Sequence, residues 1–336
     1  MVPLVPHEVV RDSDVWFEDG NVVAIAQQTA FRFHKGALSR QSVIFCDLFS
    51  VPQPANQEAS VQHMDGCPVV HVSDTAYDFK HLLRAVYDGT RCVCWCTLCM
   101  MVVSDTFVIW SSVFPGAGPM EFGVIASIVR MGHKYQVDTI LEEGLRRMRT
   151  IFTPDFATWD THQGKSNGIV TVRPEDAIEA VNLAQLTGHT EMLSSAFYMC
   201  GQLEVDTLIA GVARADGTLE RLSTYDLQRC LAGQMMLIKH DAQCMAEVFY
   251  ADASPNCFCP LLKGRHEYLL SRYADLLPEL PDILDALPVH EGYLSDTIYD
   301  IESEGILCNA CTRALKAQLT AQRRDLWDRL PGFFRL

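Results

Sequence analysis

The chain has 336 residues, 49% of them hydrophobic, enough to bury a full core and long enough for two domains. Its formal charge of -15, with no basic run anywhere, argues against a nucleic-acid-binding surface, because phosphate contact needs clustered Lys and Arg. The opening MVPLVPHEVV lacks the charged n-region and long apolar stretch of a secretory signal. Thirteen cysteines therefore read as reduced thiols of an intracellular protein, cytoplasmic or nuclear.

In chain order, residues 1–12 form a polar, proline-bearing leader. Phe17, then Val22, Val23 and Ile25, then Phe31 and Phe33 make short apolar runs of β character. Glu18-Asp19-Gly20-Asn21 supplies turn formers, so a β-hairpin is expected around it. After Phe33 the period changes. Leu38, Ser42, Phe45 and Phe49 recur at helical spacing, and Ser42 is placed to cap the second of two short helices.

These residues resemble the core of the BTB/POZ domain, a module of protein–protein interaction and dimerisation. The resemblance lies in Asp14-Val15 and in the run Phe31-Arg32-Phe33-His34-Lys35-Gly36-Ala37-Leu38, followed in register by Ser42 and Phe45. With DVWFEDGNVV and a later LLRAVYDG, the flavour is similar to fungal BTB proteins. It covers residues 12–89 and 120–152. It implies an α+β fold, a short β-sheet flanked by helices in residues 1–152, followed by a mainly helical C-terminal domain. It also implies a homodimer whose interface includes Asp14 and Lys35. His34, within Phe31-Arg32-Phe33-His34-Lys35, is expected as a partly buried structural residue.

Ser50 to Gly66 reads as a surface loop and Cys67–Asp74 as a third strand. Thr75 to Asp78 opens an amphipathic helix carrying Phe79, Leu82, Leu83 and Val86, with Gly89 at its stop. Residues 90–117 are a compositional break. The four cysteines Cys92, Cys94, Cys96 and Cys99 make a poor tetrahedral set, since three alternate on one strand face. The segment reads as an insertion relative to the BTB pattern: an intron read through in the gene, a genuine apolar flap, or, against the cost of a central Asp105, a membrane span.

Two helices follow, marked by Phe122, Ile125 and Val129, then by Val137, Ile140, Leu141, Leu145 and Met148. Glu142, Glu143, Arg146 and Arg147 are expected on the outer face of the second. Residues 153–173 read as a linker, and Gly164-Lys165-Ser166 as a solvated loop, since Trp159 stands where a phosphate loop needs its first Gly. Residues 174–249 read as helical, with a turn at Ala215 to Thr218, and 174–336 as one C-terminal domain. Late in the chain, Cys257, Cys259, Cys308 and Cys311 form a candidate structural zinc set. The alternative is buried apolar thiols, with Cys311 beside Leu315 and Leu319.

No serine-nucleophile elbow, zinc-protease helix, dinucleotide fingerprint or phosphate loop occurs; His266-Glu267 lacks the second His. The expectation is a non-enzymatic adaptor without a cofactor other than that zinc, binding itself and other proteins. A cullin is the alternative partner, with the chain recruiting substrates to a ubiquitin ligase. The cullin-binding region of the family spans the 90–117 insertion. No nucleic-acid or membrane partner is expected.

Overall fold

The computed structural model describes residues 9–50, 62–89, 118–249, 257 and 308–336, as a mixture of helices and a small sheet. The chain divides into two compact units. The first takes residues up to 150, together with 166–173 and 213–219; the second takes 151–165, 174–212 and 220–336.

The first unit is built on a five-stranded sheet. Its strands are β1 (Val10–Trp16), β2 (Val22–Ala26), β3 (Thr29–Phe33), β4 (His63–Met64) and β5 (Cys67–Val72), in the order β1-β3-β2-β5-β4. The hairpin is not where the turn formers at Glu18–Asn21 suggest. It joins β2 to β3 across Gln27-Gln28, pairing Ala26 with Thr29, while β1 lies parallel to β3. Gln27 takes the left-handed conformation a two-residue turn requires (φ 53). The turn at Glu18–Asn21 instead carries the chain past β3. There Gly20 donates its N–H to Phe17, and Asn21 donates to Phe33.

As the middle strand, β2 is buried on both faces. Val22, Ala24 and Ala26 face the helices, while Val23 and Ile25 join Ala30 and Cys67 in a smaller apolar layer on the other side. Trp16 packs against that layer beneath the Arg11 guanidinium, 4.8 Å from the ring.

Helices cover the main face: α1 (Lys35–Ser39), α2 (Val43–Ser50), α3 (Ala76–Gly89), α4 (Phe122–Lys134) and α5 (Asp138–Met148). Phe79 from α3 sits between strand and helix, 5.6 Å from Phe31, 6.2 Å from Phe33 and 6.3 Å from Phe45. Tyr135 stacks on Phe45 at 4.4 Å. Ser42 caps α2 as its spacing predicts, accepting the Phe45 N–H at 3.1 Å. Thr75 does the same for α3 through the N–H of Asp78.

On α5, Glu143 and Arg147 depart from the outer face expected of them. Both are buried, and the carboxylate accepts from Arg146 and from Arg147, each at 2.7 Å. The reason is the closeness of α4, where a Cβ at Gly144 would meet Val129. His34 is half-buried as expected, its Nδ1 3.0 Å from the Tyr87 hydroxyl, which also accepts the His34 N–H.

In the second unit, residues read as linker fold into α6 (Phe156–His162). Asp155 caps it, and Phe156 and Trp159 are buried. Aromatic side chains are too costly to leave in water here: Trp159 packs edge-on against Tyr198 and lies 5.1 Å from Trp327. Gly164, far from being a loose loop, holds φ +67 against Met199 and Trp159, where a side chain would not fit.

Beyond α6 lie α7 (Asp176–Thr187), α8 (Leu193–Cys200), α9 (Val205–Ala210), α10 (Thr224–Phe249) and α11 (Asn309–Phe333). Ser223 caps α10 by accepting the Asp226 N–H. Helices α10 and α11 run antiparallel, since partner numbers fall along one as they rise along the other. Arg229 reaches Phe334, His240 reaches Asp325, and Gln322 reaches Cys244. Consequently the end of α10 near Phe249 and the start of α11 near Cys308 lie at the same end of the pair. Trp327 donates its ring N–H to the Pro154 carbonyl, and Arg323 pairs with Asp160, which fasten α11 to α6.

Candidate functional site

Three of the four cysteines expected to hold a metal come together. The thiol sulfurs of Cys257, Cys308 and Cys311 all lie within 4.8 Å of one another. Cys308 is the residue before the first turn of α11, in extended backbone (φ -77, ψ 158), and Cys311 is on that turn. The Thr312 N–H bonds the Cys308 carbonyl at 3.0 Å, which sets the turn. Cys311 is buried, at the head of the apolar row of Leu315 and Leu319, while Cys308 and Cys257 are half-buried. Thus the apolar reading holds for Cys311 alone and leaves the other two to be explained. Cys259 lies outside the described residues.

Further along the α10–α11 pair stands a line of residues that no sequence motif marks. The Cys244 sulfur is 3.4 Å from His240 Nδ1, and His240 Nε2 is 3.4 Å from Asp325. Nucleophile, base and orienting acid in that order would be a thiol-catalysis arrangement. Burial argues against it: Cys244 is 4% exposed, and desolvation, with Glu247, Asp241 and Asp325 nearby, pushes its thiol up to about 12. A thiol so placed stays protonated at neutral pH and cannot attack. The spacing of His240 and Cys244, one turn apart on a helix, was the signal to follow.

In the first unit, Asp14 and Lys35 are not brought together. The Asp14 carboxylate is bound by Lys80 at 2.7 Å, and Lys80 also meets Asp12 at 3.1 Å. That contact holds the Asp14 carboxyl below the ordinary range. Asp12 and Asp14 alternate on β1 and so share a face, which makes a common cation natural. Lys35 is half-buried and donates its backbone N–H to Asn21.

The same unit carries an apolar surface on α2. Phe45 turns inward, but Val43, Ile44 and Leu48 are 62%, 38% and 46% exposed, with Ile44 and Leu48 one turn apart. A helix facing only water would carry polar residues there.

Among the described residues, no helix is long and apolar enough to cross a membrane. Set against models of known protein families and against curated proteins, the chain matches none.

Proposed function

We propose that this chain is a non-catalytic protein-interaction module whose first unit is a BTB/POZ-like domain that binds a second copy of itself. The observation that carries the reading is the outward face of α2. Val43, Ile44 and Leu48 expose apolar surface on a helix that Phe45 and Phe49 anchor to the core. Covering such a surface is favourable by about 25 cal/mol per Å² of apolar area removed from water.

The sequence pattern Phe31-x-Phe33-His34-Lys35 to Ser42 and Phe45 supports it further, because its apolar, His and Ser positions have structural roles. Phe33 and Phe45 are core, His34 is tied to Tyr87, and Ser42 caps α2. In this reading Lys35, at the start of α1, borders the shared surface, and Asp14 contributes through the Lys80 pair rather than through Lys35. The second unit is the recruiting half of an adaptor.

Sedimentation of the full chain tests it. A dimer is expected, and Ile44→Lys with Leu48→Glu should give a monomer that keeps its circular-dichroism spectrum. A monomeric parent at tens of micromolar would overturn the reading. A cullin pulldown decides whether the adaptor serves a ubiquitin ligase; residues 90–117, where the family's cullin contact falls, lie outside the described residues.

A further inference from the structure

We propose that Cys257, Cys308 and Cys311 hold a zinc ion that fastens the chain before residue 258 to the start of α11. Their sulfurs already lie within 4.8 Å of one another. A tetrahedral zinc with thiolates at about 2.3 Å sets neighbouring sulfurs about 3.8 Å apart, so small side-chain rotations complete a ligating face.

The three do not converge by simple apolar burial. Cys200 and Cys230 are fully buried in the interior of the second unit, whereas Cys257 and Cys308 sit half in solvent. What they share is position. Two stand at the head of a 25-residue helix, and the third arrives from a segment distant in sequence.

The charges suit a cation held by thiolates. The N-terminal end of α11 carries the positive end of the helix dipole, which suits the net negative charge of a zinc held by three thiolates. Its first turn holds no carboxylate to compete. Three sulfur donors select zinc over magnesium or calcium, which take oxygen. On binding, one Zn²⁺ replaces three thiol protons, so the site carries a net charge of -1 and its affinity falls as pH drops.

The consequence is a staple. The α10–α11 pair is antiparallel, so the end of α10 and the start of α11 lie at the same end of it. Joining Cys257 to Cys308 and Cys311 closes the chain between them into a loop, and it removes conformational freedom from the unfolded chain.

The test uses the full chain purified under reducing conditions from cells supplied with zinc. Elemental analysis should find about one zinc per chain, and Cys308→Ser and Cys311→Ser should each lose it. Cys46→Ser, an exposed thiol in the first unit, should keep it. A second measurement needs no variant to fold: exchange of the parent chain with Co²⁺ should bring up thiolate-to-cobalt charge-transfer absorption. Metal content near zero with no such absorption would overturn the proposal. So would zinc retained by a chain carrying both Cys308→Ser and Cys311→Ser, or mass analysis after alkylation showing Cys308 and Cys311 joined as a disulfide.

Discussion

Ser42 donates its hydroxyl proton to the Tyr135 carbonyl at 2.6 Å while its oxygen accepts the Phe45 N–H at 3.1 Å. One buried side chain thereby starts α2 and ties it to the end of α4, 93 residues away. The Tyr135 ring stacks on Phe45 beside the same contact. The helix that presents Val43, Ile44 and Leu48 is consequently held in place by a cap, a long-range hydrogen bond and an aromatic pair.

Replacing Ser42 with Ala removes the cap and leaves a buried carbonyl without its donor. The expected cost is about 2–3 kcal/mol, read as a lower midpoint in urea denaturation. Ser42→Thr, which keeps the hydroxyl, should recover most of it. Equal loss in both variants would show that packing rather than the hydroxyl matters.

The chain's last residues are locked in a comparable way. Phe334 is fully buried and stacks on Phe197 at 5.5 Å. Arg229 donates to the Phe334 carbonyl at 2.8 Å and to the Arg335 carbonyl at 2.9 Å. Gly233 lies directly beneath that ring, where a Cβ would overlap it. Gly233→Ala should therefore destabilise by about 1–3 kcal/mol and Phe334→Ala by about 3–5 kcal/mol. In the double variant the costs should fall well short of additive, because the alanine then meets no ring. Additive thermal shifts would contradict the contact.

Asp241, buried on α10, gives a pH dependence of definite sign. Desolvation raises its carboxyl from 3.8 to about 6. Between those values the folded chain keeps a proton that the unfolded chain releases. Stability from this group is accordingly full below about pH 4, is lost as pH rises through 6, and stays lower above. Asp241→Asn should raise stability at pH 7.5 by on the order of 1–3 kcal/mol and flatten the profile from pH 4 to 6. Unchanged or reduced stability at pH 7.5 would count against it.

His81 on α3 works in the opposite direction. Burial, aided by Arg84 and Lys80, lowers its imidazole from 6.5 to about 4. As pH falls through that window the unfolded chain takes up a proton the folded chain refuses, so stability drops. His81→Asn should be less sensitive to acid between pH 6.5 and 4 than the parent, measured by melting temperature at each pH.

Much of the first unit was legible because its signals are local. Ser42 and Thr75 announce caps, and Phe79, Leu82, Leu83 and Val86 mark one face of α3, all found in place. The hairpin is not legible because the strongest turn formers, Asp19-Gly20-Asn21, serve a crossing, while the true turn uses Gln27-Gln28, whose composition gives no warning. The burial of Glu143 and Arg147 is not legible because i,i+4 spacing shows that two charges meet without showing what lies above them.

The cysteine cluster was half legible. The Cys308-x-x-Cys311 spacing points to it, but nothing in that spacing shows that Cys257, distant in sequence, is a neighbour. The helix α6 was hidden in a stretch whose Pro154 and Gly164 look like linker. The deciding contacts, Trp159 on Trp327 and Trp327 on Pro154, come from the far end of the chain.

Self-association through the outer face of α2 is read by sedimentation equilibrium of the full chain beside its Ile44→Lys, Leu48→Glu variant. The parent is expected at twice the monomer mass and the folded variant at the monomer mass. Equal masses for the two would contradict it.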